Sequence, residues 1–389
     1  MSANTTQVND VKLVLNVSVL RGPCTGIGHY TLALARALAN NKDVDAVYFD
    51  GFSINENLFD LGSKRNNRKA EAIKRWVPGA YWLRRLLMQQ RFDSVCRQIR
   101  PDLYHEPSLW PLKCESASVV TLHDLTHIHY PETQPRDRLK EIHETCEKGL
   151  KRAGSVLVDS SFIAREAIEH YRLSPEKVVV APLGVSDHFR LRSKQEIAPL
   201  LKKMGLQDGK YILSVGTLEP RKNLSFTLKA HRRLPSSLRR AYPLVLVGAS
   251  GWNRSRFSSE LEAGLAEGSV KQFGYLDDHS LACLTNGARM LVYPSLYEGF
   301  GLPVVEAMAS GLPVITSNRA SLPEVAGNAA LYVELDDPDA YADQMLRLIE
   351  NENRWKTCRQ RGLKQAAGFS WQRCAEKTLS AYRIALNRQ

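Results

Sequence analysis

Short β-rich runs alternate with helical stretches along this chain, and the alternation occurs in two successive series. Such alternation predicts parallel sheets with helices on both faces, since a connection between parallel strands must cross a sheet face. The candidate strands are residues 12–19, 44–49, 102–105, 118–122, 155–159 and 177–181, then 211–216, 243–248, 270–275, 288–293 and 312–317. The candidate helices of the first series are residues 29–39, 81–97, 138–152 and 162–171. The fold class is therefore α/β, with two doubly wound, Rossmann-like domains.

The length of 389 residues supports two domains, because a single core rarely organises more than about 250–300 residues. We expect an N-terminal domain over residues 1–190 and a C-terminal domain over residues 200–369. A polar, helix-like connector lies at about 190–209, and a long terminal helix, Trp371 to Asn387, occupies most of the last segment, 370–389. Doubly wound sheets bind ligands at the carboxyl ends of their strands, so the functional residues are sought there.

The composition, 43% hydrophobic and 24% charged, is that of an ordinary globular protein. No apolar run approaches the roughly 18 residues of a membrane span, and residues 1–10 are polar rather than signal-like. These features predict a cytoplasmic protein. The seven cysteines are scattered without a C-x-x-C pair, which argues against a disulfide framework and against a zinc cluster.

The net charge of +12 indicates an anionic partner, and the excess is concentrated in residues 64–100, with 11 basic and 2 acidic residues. Tryptophan and leucine are interleaved with these cations, for example in YWLRRLL at 81–87. A helix of this kind can lie on an anionic membrane surface, or it can be a solvated basic helix packed on its own domain. No recognised nucleic-acid module accompanies the segment, so we expect no nucleic-acid partner.

The stretch PSLYEGFGLPVVEAMASGLP at 294–313 sets Glu298 and Glu306 eight residues apart around a glycine-aromatic-glycine turn. An apolar run before it predicts a buried strand and residues 302–309 predict a helix, so 299–301 form the turn between them. The free amides of such a turn favour an anion. Alone, the two glutamates would be solvated acids, but Glu306 lies in an almost wholly apolar helix, where an unpartnered carboxylate is costly.

The block EGFGLPVVEAMASGLPVI, with its E-x7-E spacing, resembles the signature of the retaining glycosyltransferase family 4. Further motifs occur in the family's order, namely TGIGHYT, LHDLTHIHYP, GTLEPRKNL, GYLDDHSL and FSWQRCAEKTLSAYR, and the resemblance covers the chain from about residue 11 onward. It implies the GT-B fold: two Rossmann-like domains facing a cleft, the first binding acceptor and the second nucleotide sugar. It also implies that the C-terminal helix crosses back to the first domain.

The resemblance implies which residues of this sequence bind the donor. Gly26 and Gly28 match a loop over the diphosphate, although the lone G-x-G lacks the third glycine of a nicotinamide-binding fingerprint. Thr217 stands where relatives have arginine, so Arg221 supplies the guanidinium beside the matching Lys222. The remaining donor-binding residues are Tyr275 at the base, Glu298, Gly299, Phe300, Gly301 and Leu302 at the sugar and diphosphate, and Glu306 at the ribose.

For catalysis the resemblance assigns His123 to the transferred sugar, alongside Glu298, Arg221 and Lys222. Asp124 would orient the His123 ring or bind a hydroxyl. His105 and Tyr30 are acceptor-binding candidates, with a purely structural role for His105 equally open. The HDLTHIH run lacks the spacing of a zinc site, and we expect no metal and no cofactor.

The function implied is retaining transfer of a hexose from a nucleoside diphosphate sugar, with the leaving group stabilised by cations and amides. The motif variants resemble those of bacterial mannosyltransferases of O-antigen and exopolysaccharide synthesis. This makes GDP-mannose the first-choice donor, a polyprenyl-linked glycan the acceptor, and the inner face of the cytoplasmic membrane a possible peripheral location. The alternatives are a UDP-sugar or GDP-deoxyhexose donor, a sugar-nucleotide epimerase and a non-catalytic binding module.

Overall fold

The computed structural model describes residues 11–21, 26–39, 41–56, 80–133, 136–248 and 258–388. The chain divides into two compact units after Leu183, and residues from Trp371 onward return to the first unit. Each unit is built around one sheet, as the two series of strands in the sequence predicted.

The first unit contains strands and helices in alternation. Its strands are β1 (Val11–Asn16), β2 (Val44–Phe49), β3 (Ile54–Asn55), β4 (Leu103–Glu106), β5 (Ala117–Leu122), β6 (Ser155–Val158) and β7 (Val178–Val180). Its helices are α1 (Gly26–Ala39), α2 (Ala80–Ile99), α3 (Thr126–His129), α4 (Arg136–Arg152) and α5 (Ser161–Tyr171), with short 3-10 turns at Ser18–Arg21, Pro131–Thr133 and Pro175–Lys177.

The described strands of the first unit form one sheet in the order β3-β2-β1-β4-β5-β6-β7. All neighbours are parallel except β3, which pairs antiparallel with β2 at the edge. The side chains of Leu13, Val14 and Leu15 in β1 are all fully buried, as expected for a strand covered on both faces. The strand order reverses between β1 and β4, which makes their carboxyl ends the expected ligand-binding edge.

The second unit repeats this architecture. Its helices are α6 (Lys194–Lys203), α7 (Leu224–Arg233), α8 (Ser236–Ala241), α9 (Ser258–Glu267), α10 (Asp278–Gly287), α11 (Leu302–Ala309), α12 (Leu322–Ala326), α13 (Pro338–Glu350) and α14 (Glu352–Ala366). Its strands are β8 (Ile212–Val215), β9 (Leu244–Val247), β10 (Val270–Phe273), β11 (Met290–Tyr293), β12 (Val314–Ser317) and β13 (Leu331–Val333), with 3-10 turns at Pro220–Lys222 and Gly327–Ala329. The described strands form a parallel sheet in the order β10-β9-β8-β11-β12-β13.

The terminal helix α15 (Trp371–Leu386) packs on the first unit. Cys374 and Tyr382 on this helix are buried, and the Tyr382 hydroxyl hydrogen-bonds His105 Nδ1 of β4 at 2.8 Å. Close approach is possible because Gly154 lies under the helix: a Cβ built at Gly154 would stand 2.8 Å from Ala385 Cα.

The predicted elements are found with small differences at their ends. Strands β3 and β13 were missed because two or three residues carry too little alternation to be recognised. Of the basic segment 64–100, residues 64–79 lie outside the described part of the chain, and residues 80–99 form α2. No helix in the described residues is long and apolar enough to cross a membrane.

We expect Gly154→Ala to destabilise the protein by about 1–3 kcal/mol, because the added methyl group would push against the backbone of α15. Thermal unfolding monitored by circular dichroism measures this loss. Gly274→Ala is the matched control, since a Cβ at Gly274 would meet nothing within 4 Å. Equal melting temperatures for the two variants would contradict the close packing of α15 on Gly154.

Candidate active site

The segment after β11 turns sharply into α11, as the sequence predicted. Gly301 precedes the first residue of the helix with φ 98°, a left-handed conformation that favours glycine. A Cβ at this position would also lie 2.8 Å from Leu322 Cδ2, so a side chain here would require that leucine to shift. This turn brings Glu298, Gly299 and Phe300 to the carboxyl edge of the sheet, beside the start of the helix.

Glu298 is the centre of a buried polar cluster, with only 6% of the residue exposed. Its Oε1 atom accepts hydrogen bonds from Lys222 Nζ at 2.5 Å, Ser295 Oγ at 2.5 Å and the Tyr293 hydroxyl at 2.9 Å. Its Oε2 atom accepts one from Arg221 Nη1 at 2.9 Å. Burial alone would raise the pKa of Glu298, but the charges of Lys222 and Arg221 outweigh it and lower the pKa to about 2.

Arg221 and Lys222 lie on the 3-10 turn after β8, and both side chains are mostly buried. Arg221 also binds Glu219 through Nε at 3.0 Å, and Lys222 Nζ donates to the Tyr293 hydroxyl at 2.6 Å. Burial lowers the pKa of Lys222 more than the neighbouring Glu298 raises it. The two cations predicted as a diphosphate clamp thus share one carboxylate, and a bound anion would compete with that carboxylate for them.

A small pocket opens beside this cluster at the carboxyl ends of β8 and β9. Its lining includes Gly216, Thr217 and Lys222 together with the ends of both strands. Thr217 therefore lies next to the predicted clamp. Tyr275, predicted at the base, follows β10 and is 60% exposed.

Glu306 lies in the middle of α11, about one helical turn after Leu302. Its carboxyl group makes no hydrogen bond to any described residue of the protein. Burial, with a smaller contribution from the charge of Asp278, raises its pKa to about 8. The sequence argument that a carboxylate is costly in this apolar helix is reflected in this raised pKa, which leaves the group largely protonated at neutral pH.

In the first unit, Gly26 and Gly28 lie in the first turn of α1, whereas residues 22–25 of the same motif lie outside the described residues. Gly26 is exposed, and a Cβ there would meet nothing within 4 Å. Gly28 is buried. The two glycines therefore begin the helix rather than precede it, and their amides belong to its N-terminal turn.

His123 follows β5, and both of its ring nitrogens have partners within the first unit. Nδ1 bonds Asp159 Oδ2 at 2.7 Å, and Nε2 bonds the Pro107 carbonyl oxygen at 3.2 Å. With Asp159 ionised, both partner oxygens accept and both ring nitrogens donate, which describes a protonated imidazolium. Burial lowers the pKa of His123, but Asp159 more than compensates, so the pKa lies above its ordinary value. The longer bond, from Nε2, is the one for which a ligand oxygen can compete.

Asp159, not Asp124, orients the His123 ring. The alternative role of Asp124, binding a hydroxyl, stays a prediction. Asp124 Oδ1 instead accepts the backbone N–H of Thr126 at 3.0 Å, at the start of α3. Asp159 immediately follows β6, the strand paired with β5, so both side chains reach the same edge of the sheet. An acidic residue directly after the run SVLV was the signal that could have identified it.

His105 and Tyr30, which the sequence suggested for the acceptor, are both buried with their polar atoms bonded inside the first unit, so their part in acceptor binding stays a prediction. The Tyr30 hydroxyl bonds Thr121 Oγ1 at 2.9 Å, which in turn bonds His105 Nε2 at 2.8 Å. Burial is the main reason that the pKa of His105 falls to about 3. The Tyr30 ring packs edge-on against His123, with ring centroids 4.6 Å apart, so these residues support the His123 site from beneath.

The other histidines of HDLTHIH have separate partners. His127 Nε2 bonds the Tyr171 hydroxyl at 2.7 Å, and His129 Nε2 lies 2.8 Å from Glu166 Oε1. Within the described ranges, no group of three His, Cys, Asp or Glu residues has an arrangement that could hold a metal ion.

Glu106, at the end of β4, is a buried residue that the sequence argument did not assign. Its carboxyl group accepts hydrogen bonds from Asn16 Nδ2 at 2.6 Å, the Tyr104 hydroxyl at 2.6 Å and Ser108 Oγ at 2.5 Å. Burial raises its pKa to about 7. These bonds hold the chain on either side of Pro107, whose carbonyl oxygen bonds His123.

We expect Asp159→Asn to lower the pKa of His123 below its ordinary value, because burial remains when the carboxylate is lost. Histidine-selective NMR titration measures this shift.

The same substitution should change the pH dependence of stability. Because the pKa of His123 is raised in the folded state, the His123–Asp159 pair contributes its full stability below about pH 6.5 and loses it as the pH rises through the folded pKa. The variant should therefore lose more stability, roughly 1–3 kcal/mol, at pH 5.5 than at pH 8.5. Asp124→Asn is the control with a smaller shift, and equal shifts in both variants would contradict the assignment.

Comparison with known proteins agrees with this architecture. The family model described as "Glycosyltransferase Family 4" matches residues 25–189, and "Glycosyl transferases group 1" matches residues 199–365. The "O-antigen chain mannosyltransferase B" of Escherichia coli is 34% identical over 381 residues, covering 96% of this chain and all of the relative.

Solved structures show the same fold. Sucrose-phosphate synthase from Thermosynechococcus elongatus superposes with a TM-score of 0.72 at 19% identity, covering 96% of this chain and 98% of its own. Anabaena HepE in complex with UDP and glucose superposes with a TM-score of 0.71 at 16% identity, covering 96% and 99%. These likenesses confirm the GT-B fold that the sequence predicted. Together with the full-length match to the E. coli relative, they establish that the chain belongs to glycosyltransferase family 4 and is a glycosyltransferase.

Proposed function

We propose that the protein transfers mannose from GDP-mannose to a polyprenyl-linked glycan in O-antigen synthesis, with retention at the anomeric carbon and without a metal ion. The observation that carries this proposal is the buried cluster in which Arg221 and Lys222 share the carboxylate of Glu298. Two cations held at a strand end beside a helix N-terminus are suited to a diphosphate.

Donor binding exchanges the partners within this cluster. The diphosphate oxygens take hydrogen bonds from Arg221 and Lys222, with additional donors in the amides of the 299–301 turn. Glu298, whose low pKa keeps it ionised, is then released to accept hydrogen bonds from the hydroxyl groups of the sugar. Tyr293 and Ser295 keep their bonds to Oε1 and hold the carboxylate in place during the exchange.

The remaining donor contacts follow the same edge of the second unit. Glu306 binds the ribose diol, and the new hydrogen bonds offset the burial that raises its pKa to about 8. Thr217 and Tyr275 border the diphosphate and the base, respectively. Leu302 begins the helix whose N-terminus faces the anion.

The chemistry breaks the bond between the anomeric carbon and the diphosphate and forms a bond to the acceptor oxygen on the same face. The acceptor proton passes to a diphosphate oxygen, and Arg221 and Lys222 stabilise the charge that develops on the leaving group. His123, held by Asp159, donates from Nε2 to a hydroxyl of the transferred sugar in place of Pro107. The first unit would bind the acceptor glycan.

Support for mannose comes from the E. coli relative, the O-antigen chain mannosyltransferase B. Its match covers 96% of this chain and all of the relative, so both units are included. The calorimetry and turnover experiments described next also test the alternatives, which are a UDP-sugar donor, a GDP-deoxyhexose donor, epimerase activity and a non-catalytic binding module.

We further propose that α2 attaches the protein to anionic membrane at the cytoplasmic face. Leu83, Leu86 and Leu87 on this helix are 51%, 42% and 46% exposed, and basic residues flank them. The opposite face of α2 packs on the first unit through Phe92, which is buried. Exposed leucines with neighbouring arginines favour the interface of an anionic bilayer, where the acceptor lipid resides.

We expect Lys222→Ala to reduce kcat/KM for mannosyl transfer by roughly 10²–10³-fold with the fold intact, because a charge that stabilises the leaving group is lost. Transfer is measured with GDP-mannose and a polyprenyl-linked acceptor in the presence of a chelator, with NMR of the product anomer. Arg233→Ala, which removes an exposed cation of the same unit, is the control.

Calorimetry in the presence of the chelator compares the binding of GDP-mannose with that of GDP-deoxyhexoses, UDP-glucose and UDP-N-acetylglucosamine. Selective binding of GDP-mannose would support it as the donor. Preference for another nucleotide sugar would contradict this and identify that nucleotide sugar as the donor. Full turnover by Lys222→Ala would contradict the role of the cluster. Conversion of the donor without a glycoside product would indicate an epimerase.

We expect the combined change of Leu83, Leu86 and Leu87 to Ser to reduce binding to phosphatidylglycerol vesicles at least tenfold, because their apolar area would no longer enter the interface. Vesicle co-sedimentation measures the loss, and binding of the unchanged protein should weaken with salt. Leu265→Ser is the control, since this leucine is similarly exposed on the other unit. Equal binding of the unchanged protein to neutral and anionic vesicles would argue for a merely solvated helix.

A further inference from the structure

Two thiols separated in sequence come together beside α2. The side chains of Cys96, near the end of the helix, and Cys114, between β4 and β5, lie within hydrogen-bonding reach of each other. Both are partly exposed and both pack against the same core cluster, which includes Phe92 and Leu112. The scattered cysteine positions gave no sign of this pair, because the contact is made by the packing of α2 on the sheet.

The segment that carries Cys114 is tied to α2 at two further points. Gln89 and Lys113 exchange two hydrogen bonds: the Lys113 N–H donates to Oε1 at 2.9 Å, and Nε2 donates to the Lys113 carbonyl oxygen at 3.0 Å. Arg85 Nη2 donates to the Pro111 carbonyl oxygen at 2.8 Å. These bonds hold the segment in register along the helix, so the two sulfur atoms stay close to each other.

The contact shifts the pKa values of the two thiols in opposite directions. The hydrogen bond from Cys96, aided by hydrogen bonds from Ser116, lowers the pKa of Cys114, whereas the same contact and burial raise the pKa of Cys96. By contrast, burial raises the pKa of Cys146 and of Cys374 to about 12. The thiolate is the reactive form, so Cys114 is the nucleophile and Cys96 the neighbouring thiol.

We propose that Cys96 and Cys114 are a redox-active pair, which a hydroperoxide converts to a reversible disulfide between α2 and the segment after β4. In the first step, the Cys114 thiolate attacks the peroxide oxygen, breaks the O–O bond and becomes a sulfenic acid, with release of hydroxide or alkoxide. In the second step, the Cys96 sulfur attacks the sulfenic sulfur, and the thiol proton and the hydroxyl group leave as water. The two thiols are oxidised by two electrons, and the peroxide is reduced by two.

The cross-link would connect two parts of the first unit that have other roles in the molecule. The helix α2 carries the exposed leucines, and the segment before Cys114 begins at Pro107, whose carbonyl oxygen bonds His123. Disulfide formation would replace the non-covalent contact with a covalent one and restrict motion between them. This modification is independent of the identity of the donor sugar or the acceptor.

The test treats the full-length, reduced protein at low concentration with hydrogen peroxide, blocks the remaining thiols with iodoacetamide and digests it with trypsin without reductant. We expect peptide 92–97 joined to peptide 114–136, two hydrogens lighter than the sum and separated again by dithiothreitol. At neutral pH Cys114 should also be alkylated roughly tenfold or more faster than Cys358.

Single substitutions distinguish the two roles. Cys96→Ser should leave Cys114 as a sulfenic acid that dimedone captures, whereas Cys114→Ser should abolish both the cross-link and dimedone capture. Cys358→Ser is the matched control and should form the cross-link as the unchanged protein does. Absence of the 96–114 cross-link in the unchanged protein, or cross-links spread evenly over the other cysteines, would overturn the proposal without bearing on glycosyl transfer.

Discussion

In a parallel sheet covered by helices on both faces, charged side chains find partners and ligands mainly where the strands end, and this constraint organises both units. Strand interiors such as those of β1 and β11 are buried and apolar, so a charged group within them would be without partners. In the first unit, Asn16, Glu106, His123 and Asp159 all lie at or just beyond a strand end. In the second, Thr217, Tyr293 and Glu298 do.

At these strand ends, environment rather than residue type decides the charge state. Glu298 and Glu306 are eight residues apart, yet the pKa of one is lowered to about 2 and that of the other is raised to about 8. Glu298 is surrounded by two cations and two hydroxyl donors, whereas Glu306 lies in an apolar helix with another acid, Asp278, as its charged neighbour. One glutamate is therefore prepared to accept hydrogen bonds as an anion, and the other becomes a good acceptor when a ligand supplies donors.

The His123 site shows a similar division between groups that face a ligand and groups that support them. Asp159 orients the ring and sets its charge, the 106–108 segment carries the Pro107 carbonyl oxygen that bonds Nε2, and Tyr30 packs beneath the ring. The buried chain of bonds from Tyr30 through Thr121 and His105 reaches Tyr382 of the terminal helix. Hence α15 belongs to the structure that supports the site and not only to the end of the chain.

The sequence by itself determined the fold class, the two series of strands and the position of the EGFG turn, because these follow from periodicity and from glycine chemistry over neighbouring residues. It also identified Glu298, Arg221, Lys222 and His123 as a set of candidates. Partners distant in sequence were decided only by tertiary structure: Asp159 beside His123, the burial of His105 and Tyr30, and the meeting of Cys96 with Cys114. The physical reason is that alternation reports which face of an element is buried, whereas a side chain's partner depends on which strands and helices become neighbours.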